Sequence, residues 1–309
     1  MNHKLLVVGT MAYDAIETPF GKVDKILGGA ATYIGLSASR FSLDCAIVSV
    51  VGEDFEEEHL SLLRDRGVDL SGVEIVKGGA TFFWSGKYHN DLNTRTTLDT
   101  QLNVLENFNP KIPDHLKTPD IVMLGNLSPD VQLKALDQLE SKPKLIVLDT
   151  MNFWMEHYRP ALDKVITKVD VISINDEEAR QLTGEYSLVK AAGEIQKMGP
   201  KYVIIKKGEH GALLFHDKEI FCAPALPLEE VFDPTGAGDS FAGGFTGYLT
   251  ETGNISFNNM KLAIIYGSAM ASFTVEKFGM EKLVNYTPSM MMARLRAFKE
   301  LTTFEIEIE

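Results

Sequence analysis

Between Phe232 and Phe245 the chain reads Phe-Asp-Pro-Thr-Gly-Ala-Gly-Asp-Ser-Phe-Ala-Gly-Gly-Phe, a Gly-rich turn that runs into an apolar helix with a carboxylate, Asp239, at the junction. The first N–H groups of a helix have no partner inside it, so a turn placed there favours an anion. Pro234 fixes one φ, and Gly236 and Gly238 permit a backbone tight enough to approach a phosphate. The N–H groups of Gly236, Ala237 and Gly238 would then form an anion hole for charge developing on a transferring phosphoryl group. A carboxylate beside a phosphate is electrostatically unfavourable and needs a reason. Asp239 as the general base that takes a proton from an attacking hydroxyl supplies one. Asp is also a favoured helix N-cap, and in an arbitrary protein capping is the simpler reading.

Other residues suit the same chemistry, each beside a plainer alternative. Asn175 and Glu178, in Asn-Asp-Glu-Glu, carry amide and carboxylate oxygens of the kind that hold Mg²⁺ directly or through water. They also read as a helix start whose acidic residues complement the helix dipole. Lys206 ends an apolar run just before Gly208 and is either a point charge for phosphate or a solvated strand-end lysine. Asp14 can accept hydrogen bonds from hydroxyl groups or close an Asx turn. Gly28 and Gly29 allow close backbone approach to a ligand, or form a turn. Asn126, in Leu-Gly-Asn-Leu-Ser, is a polar contact or an ordinary loop residue.

These residues need a scaffold, and short apolar runs supply one. Leu5–Val8, Ala46–Val51, Ile121–Leu124, Leu145–Leu148, Val169–Ile174, Tyr202–Ile205 and Ala212–Phe215 lack polar alternation and read as strands buried on both faces. Helical periodicity falls near 54–66, 130–141, 176–183, 188–198, 238–250, 256–276 and 288–300. The expected class is α/β, a mostly parallel sheet flanked by helices, as a single domain over 1–309. Two segments break the rhythm, approximately 10–27 and 73–100, where Gly, Thr, Asn and alternating aromatics predict a small separate sheet. Phe82, Trp84 and Tyr88 are expected to be exposed there, or to rim the main core.

Composition narrows the partners. A formal charge of -13 argues against nucleic acid or an anionic membrane surface. The two cysteines, Cys45 and Cys222, form no metal-type pair and fit a reducing cytoplasm. Leu5–Val8 is too short for a signal or membrane segment, and no later run reaches that length. A Walker A pattern, a protein-kinase His-Arg-Asp set and a Gly-x-Gly-x-x-Gly after the first strand are all missing, which disfavours those phosphate sites and a dehydrogenase.

At Asp233-Pro234-Thr235-Gly236-Ala237-Gly238-Asp239 the chain resembles the ribokinase-like (PfkB) family of carbohydrate and nucleoside kinases, whose signature reads Asp-Thr-x-Gly-Ala-Gly-Asp. The resemblance extends in order through Gly28-Gly29, Val51-Gly52-Glu53-Asp54-Phe55, Arg66-Gly67-Val68-Asp69, Asn175-Asp176-Glu177-Glu178 and Lys206-Lys207-Gly208-Glu209-His210-Gly211. It implies a ribokinase-like fold with a small β lid over the substrate, and transfer of phosphate from ATP to a hydroxyl of a sugar, polyol or nucleoside. It also implies Mg²⁺, with a monovalent cation as a further option near Asp233 and Thr235, and a lid that can form a homodimer contact. Asp239 is then the base, and Asp14, Gly28, Gly29, Tyr33 and Asn126 line the acceptor side. Asn175, Lys206, Gly208 and Thr235 fall to the nucleotide and Glu178 to the metal, with Asp176 and Glu177 as solvated helix charges.

Two positions depart from the family pattern. Lys206 stands where many members have Thr, and Tyr33 stands where the family usually has a sugar-binding Asn. Tyr33 either presents an aromatic ring to the acceptor or turns into the core of a helix beginning near Ala30. A non-catalytic sugar or nucleotide sensor on the same scaffold is the competing class, and the intact Asp239 argues against it.

Overall fold

The computed structural model describes residues 3–305. The seven apolar runs, joined by two further strands, form a nine-stranded sheet made of β1 (Lys4–Val8), β4 (Asp44–Gly52), β5 (Val68–Val76), β8 (Ile121–Leu124), β9 (Leu145–Asp149), β10 (Val171–Asn175), β11 (Tyr202–Lys206), β12 (Ala212–His216) and β13 (Glu219–Ala223). Their order is β13-β12-β11-β10-β9-β8-β1-β4-β5. Pairing is parallel from β5 across to β11 and antiparallel only through β12 and β13 at one edge.

Alternate residues of each strand enter different cores. Leu5, Val7, Met123, Val147 and Ile204 pack beneath α1 (Ala30–Ala38), α8 (Ala237–Thr252) and α9 (Phe257–Thr274). Leu6, Val8, Val122, Leu148 and Ile205 face α3 (Pro129–Leu136), α5 (Arg159–Ile166), α6 (Asp176–Thr183) and α7 (Leu188–Lys197). Both faces are therefore covered, which is why the strand sequences are apolar without alternation. From β1 the chain moves to one side, through β4 and β5, and later returns to the other side at β8. The carboxyl ends next to that reversal are where open α/β sheets take ligands.

A second sheet, ordered β3-β2-β6-β7, contains β2 (Ala12–Thr18), β3 (Gly21–Gly28), β6 (Phe83–Tyr88) and β7 (Arg95–Gln101). Val73–Val76, expected in this small sheet, instead pairs with Ser49–Gly52 as the end of β5 in the main sheet. β5 alternates buried with exposed residues over its first half, and its end at Val73–Val76 is partly to fully exposed, as an edge strand allows. The aromatic expectation also needs correcting. Tyr88 is buried, and Phe82 and Trp84 are only partly exposed, because the small sheet lies against the body. Phe20 meets Phe232 at a ring-centroid distance of 5.6 Å, and Tyr88 and Thr235 hydroxyls are 3.2 Å apart. The short helices α4 (Asn152–His157) and α10 (Glu281–Asn285), with α2 (Glu57–Arg64) and α11 (Pro288–Thr302), complete the outer layers. Among the described residues no helix is long and apolar enough to cross a membrane.

Candidate active site

The Gly-rich turn is fixed by a buried carboxylate. Asp233, fully buried, accepts from the Thr235 N–H at 2.9 Å through one oxygen and from the Gly279 N–H at 2.9 Å through the other. Gly236 is the N-cap of α8 in the left-handed conformation, with φ 75°. A side chain there would be strained by that φ and would also strike the Tyr33 ring, whose Cζ lies 2.4 Å from a Cβ built on Gly236. Gly238 is different. It lies inside α8 with ordinary helical backbone, so its need for glycine is weaker than its motif position suggests.

The turn also modifies the expected anion hole. Ala237 N–H donates to the Pro234 carbonyl at 3.2 Å, which engages one of the three expected donors. Among the described residues the N–H groups of Gly236 and Gly238 have no backbone carbonyl partner outside regular helix bonding, and a first-turn N–H such as that of Gly238 has none within it.

Asp239 is the third residue of α8 rather than its N-cap, so capping does not explain it. Burial raises its pKa to about 7; Asp149 and Glu178 push the same way, while Lys206 and Arg95 oppose them. A carboxyl poised near neutrality is suited to accepting a proton at physiological pH.

Lys206, at the end of β11, bonds Asp149, at the end of the neighbouring strand but one, through Nζ and Oδ2 at 2.8 Å. Burial opposes its charge, but Asp149 and Glu178 outweigh that and hold the ammonium protonated. A Cβ built on Gly238 would lie 3.1 Å from this Nζ, so the cation sits over the first turn of α8, where the sequence placed phosphate. Lys206 is thus a largely enclosed, paired charge, 17% exposed, rather than a solvated strand-end lysine.

Asn175 and Glu178 form a reciprocal capping box. Asn175 Oδ1 accepts from the Glu178 N–H, and Glu178 Oε2 accepts from the Asn175 N–H, both at 2.8 Å. The N-x-x-E spacing therefore has a structural job. The carboxyl is nevertheless buried, and that burial, with Asp149 adding to it and Lys206 opposing it, raises its pKa to about 7. Asp176 pairs with Arg180 at 2.6 Å and Glu177 is exposed, in keeping with solvated helix charges.

On the other side, Asp14 on β2 is buried against Gly28. A Cβ at Gly28 would fall 2.1 Å from Asp14 Oδ2, so only glycine fits. The Gly29 N–H donates to the Asp14 carboxyl, but burial first, then the charges of Asp233 and Asp239, raises its pKa to about 8. Tyr33 is in the first turns of α1, buried and packed on Gly236. Asn126 is tied up in protein contacts: its Oδ1 accepts from Trp154 Nε1 at 2.8 Å, and its Nδ2 reaches Met151 Sδ at 3.1 Å. Gly208, at φ 54°, lies opposite Asn93 of the turn between β6 and β7, 2.7 Å from that amide oxygen to a built Cβ.

Two site residues escaped the sequence reading. Asp149 looked like the polar end of a buried strand, yet it organises Lys206 and acts electrostatically on both Asp239 and Glu178. Its place at a strand's carboxyl end was the available signal. Arg95 begins β7 of the small sheet, bonds the Tyr88 hydroxyl, and sets its positive charge against Asp239 and Glu178. Nothing in its exposed, polar strand marked it.

A largely enclosed lysine, a poised carboxyl and the start of α8 therefore meet at the carboxyl ends of β9 and β11. Relatives share this chain's length and fold. A cytidine kinase of Thermococcus kodakarensis is 32% identical over 247 residues, covering 78% of this chain and 86% of that protein. A nucleoside kinase of Methanothermobacter thermautotrophicus is 28% identical over 297 residues, 89% of this chain and 90% of its own. The solved structure of an aminoimidazole riboside kinase from Salmonella enterica, complexed with aminoimidazole riboside and an ATP analogue, superimposes with a TM-score of 0.73 at 20% identity, covering 95% and 100% of the two chains. Residues 2–285 match the model of the pfkB family of carbohydrate kinases, and the chain belongs to that family as a carbohydrate or nucleoside kinase.

Proposed function

We propose that the protein transfers the γ-phosphoryl group of ATP to a hydroxyl of a ribonucleoside, with Asp239 as general base. The observation that carries this reading is Asp239 in the first turn of α8, partly buried beside the Lys206–Asp149 pair and just past the left-handed Gly236. The acceptor hydroxyl lies between Asp14 and Asp239 and gives its proton to Asp239 as it attacks. Gly236 and Gly238 N–H groups and the Lys206 ammonium receive the charge that develops on the phosphoryl oxygens. Gly28 and Gly29 bring the backbone close to the sugar. Asn175, Gly208 and Thr235 border the nucleotide, and the small sheet acts as the lid, closing the site through Tyr88 and Arg95. Asn126, held by Trp154 and Met151, shapes the acceptor side without a free amide oxygen facing it. Preference for a nucleoside over a free sugar is supported by the cytidine and nucleoside kinase relatives and by Tyr33 at a position where the family usually has Asn.

The residues present fit Mg²⁺ as a partner of ATP. Glu178 keeps one carboxylate oxygen outside its capping box, and no cluster of three or more His, Cys, Asp or Glu side chains exists among the described residues to cage an ion. That donor set matches an ion held chiefly by phosphates and water, with Glu178 as an outer organiser. When bound, Mg²⁺ neutralises charge on the β- and γ-phosphates.

Coupled ADP release over cytidine, uridine, adenosine, ribose, fructose 6-phosphate and inositol, with ATP and with or without chelator, tests the reading. Turnover should be highest with a nucleoside and lost in chelator. Turnover only with a free sugar or inositol would overturn the nucleoside assignment, and no ADP release with any acceptor would overturn the kinase reading.

A further inference from the structure

The stretch Val51-Gly52-Glu53-Asp54-Phe55 supplies none of the phosphate or acceptor groups assigned to the site, yet the small sheet is tied to the body there. It runs off β4, a body strand buried throughout after its first residue, and leads into α2. Asp54 Oδ1 accepts two hydrogen bonds from one residue, from the Thr81 N–H and the Thr81 hydroxyl, both at 2.7 Å. The same hydroxyl accepts from the Gly52 N–H at 3.0 Å, and the Thr81 carbonyl accepts from Asn103 Nδ2 at 2.8 Å. The Glu53 N–H donates to the Gly79 carbonyl at 3.0 Å, and the Val104 N–H to the Ala80 carbonyl at 3.2 Å. The chain thus passes from β5 out to β6, and from β7 back to the body, through one junction with the buried Thr81 at its centre. A Cβ on Gly52 would fall 2.3 Å from the Gly79 carbonyl oxygen, so the two backbones touch.

The same loop reaches β2. The Tyr13 hydroxyl accepts from the Glu56 N–H at 2.9 Å and donates to the Asp54 carbonyl at 3.4 Å, and the Tyr13 ring packs on Phe55 with centroids 5.4 Å apart. Tyr13 and Phe83 are the first partners of the parallel β2–β6 ladder, and Asp14 and Trp84 are the next. Tyr13 directly precedes Asp14, and Thr81 lies just ahead of Phe83. One loop of the body therefore grips both strands at the level of Asp14. The far end of β6 is held separately, where the Tyr88 and Thr235 hydroxyls meet. Asp54 is itself exposed, and an exposed carboxylate needs no protein partner; what it gives Thr81 is one oxygen that accepts twice.

We propose that Asp54 is a positioning residue for the transfer reaction: through Thr81 and Tyr13 it sets where the β2–β6 ladder sits on the body, and so the place of Asp14. This rests on the reading of Asp14 as a carboxyl on the acceptor side. Asp54 touches no reactant. Its action is to hold a binding group still, and a displacement of about 1 Å in such a group is enough to weaken the contacts it makes. Because Tyr88 keeps its own anchor on Thr235, the lost grip is felt most at Asp14 and least at Arg95, which pairs with Tyr88 across the ladder. Lys206, Glu178 and Asp239 stand on elements of the body and keep their places.

Asp54→Ala and Asp54→Asn in the full chain test this, assayed with whichever of cytidine, uridine, adenosine, ribose, fructose 6-phosphate and inositol the wild type turns over best. Alanine removes the oxygen, whereas asparagine keeps an acceptor at Oδ1 and removes only the charge. Asp54→Ala should raise the acceptor KM about tenfold and the KM for ATP by less than about threefold. Amide hydrogen exchange should quicken in β2 and β6 and stay at the wild-type rate in the main sheet. Asp54→Asn should return all of these to within about twofold of wild type, and Thr81→Val, which lacks the hydroxyl, should follow Asp54→Ala. An acceptor KM within about twofold of wild type in Asp54→Ala overturns the proposal, and so does exchange that quickens equally in both sheets, the mark of a merely structural residue. An equal loss in Asp54→Asn also overturns it, since charge would then be the requirement. Asp14→Asn separates the two levels. A raised acceptor KM there but not in Asp54→Ala overturns the positioning role and spares the reading of Asp14; a wild-type KM in Asp14→Asn overturns that reading and, with it, Asp14 as the group that Asp54 positions. Turnover of none of the six overturns both.

Discussion

The proposed phosphate wall of the site and the proposed acceptor wall are held by different means. Asp149, Lys206, Glu178 and Asp239 stand at the ends of strands or in the first turn of a helix, all over-determined by cores on both faces of the main sheet. The small sheet that brings Asp14, Tyr88 and Arg95 is buried in the body along β2 but thins outward, and its outer strand β7 has no buried residue at all. Buried charge accordingly lies in the body and on β2, where burial shifts acidities, while Arg95 is presented from an exposed strand. On this contrast, changes in the body should disturb chemistry and stability together, and changes in β7 should disturb chemistry alone.

The largest effect belongs to Asp239→Asn. Asparagine cannot take the acceptor's proton, and loss of general base catalysis together with positioning should lower kcat by about 10³-fold or more. A rate within tenfold of wild type would remove Asp239 from the role. The same variant has a stability signature. A carboxyl with a raised folded-state pKa binds more protons in the folded than in the unfolded chain, so wild-type stability declines as pH climbs from about 4 through about 7. Asn lacks that carboxyl's share of the decline while the shares of Asp14 and Glu178 remain, and at pH 8 its melting temperature should equal or exceed that of wild type.

Next comes the turn. Gly236→Ala places a Cβ in the left-handed region, at a cost of roughly 1–2 kcal/mol before any clash with Tyr33, and shifts the phosphate donors. Turnover should fall about a hundredfold, and the melting temperature with it. Gly238→Ala, in helical backbone and meeting only the flexible end of Lys206, should be much milder on both measures. Equal losses at the two positions would show that the backbone conformation at Gly236 is not what the site depends on.

This pair also illustrates what the sequence makes legible. The seven apolar runs are strands because burial on both faces leaves a continuous hydrophobic signature, and the αβ order follows from them. β13, β5 and α4 were obscure for the opposite reason: edge position, one-sided burial or shortness weakens periodicity. The motif pointed to Asp239 and its turn, but not to which glycine is left-handed, because φ depends on how the turn packs in the folded chain. Asp149 and Arg95 have no local signature. Their importance arises from strands far apart in sequence that converge on one carboxyl.

The small sheet is probed by Arg95→Met. β7 is exposed, so stability should be unchanged, while loss of a positive charge facing Asp239 and Glu178 should cut kcat/KM for ATP about tenfold. A variant as active as wild type would make Arg95 a surface residue and leave the body to do all the electrostatic work. A destabilised one would erase the contrast between the walls.

The smallest effect is the most specific. Glu178→Gln should keep α6 intact, because Gln serves as well as Glu in a capping box with Asn175. What it removes is a negative charge that raises the pKa of Asp239. In wild type the acid limb of kcat/KM for the acceptor should lie near pH 7, where Asp239 loses its proton. In the variant the limb should move to lower pH, since one source of like-charge repulsion is gone, and by less than about one unit, since burial and Asp149 remain the larger causes. The Mg²⁺ concentration for half-maximal rate should rise in parallel if Glu178 also organises the ion's water. A limb that stays fixed while the Mg²⁺ requirement rises would confine Glu178 to the metal. A limb that moves to higher pH would reverse the sign of its action and break the electrostatic account of the phosphate wall.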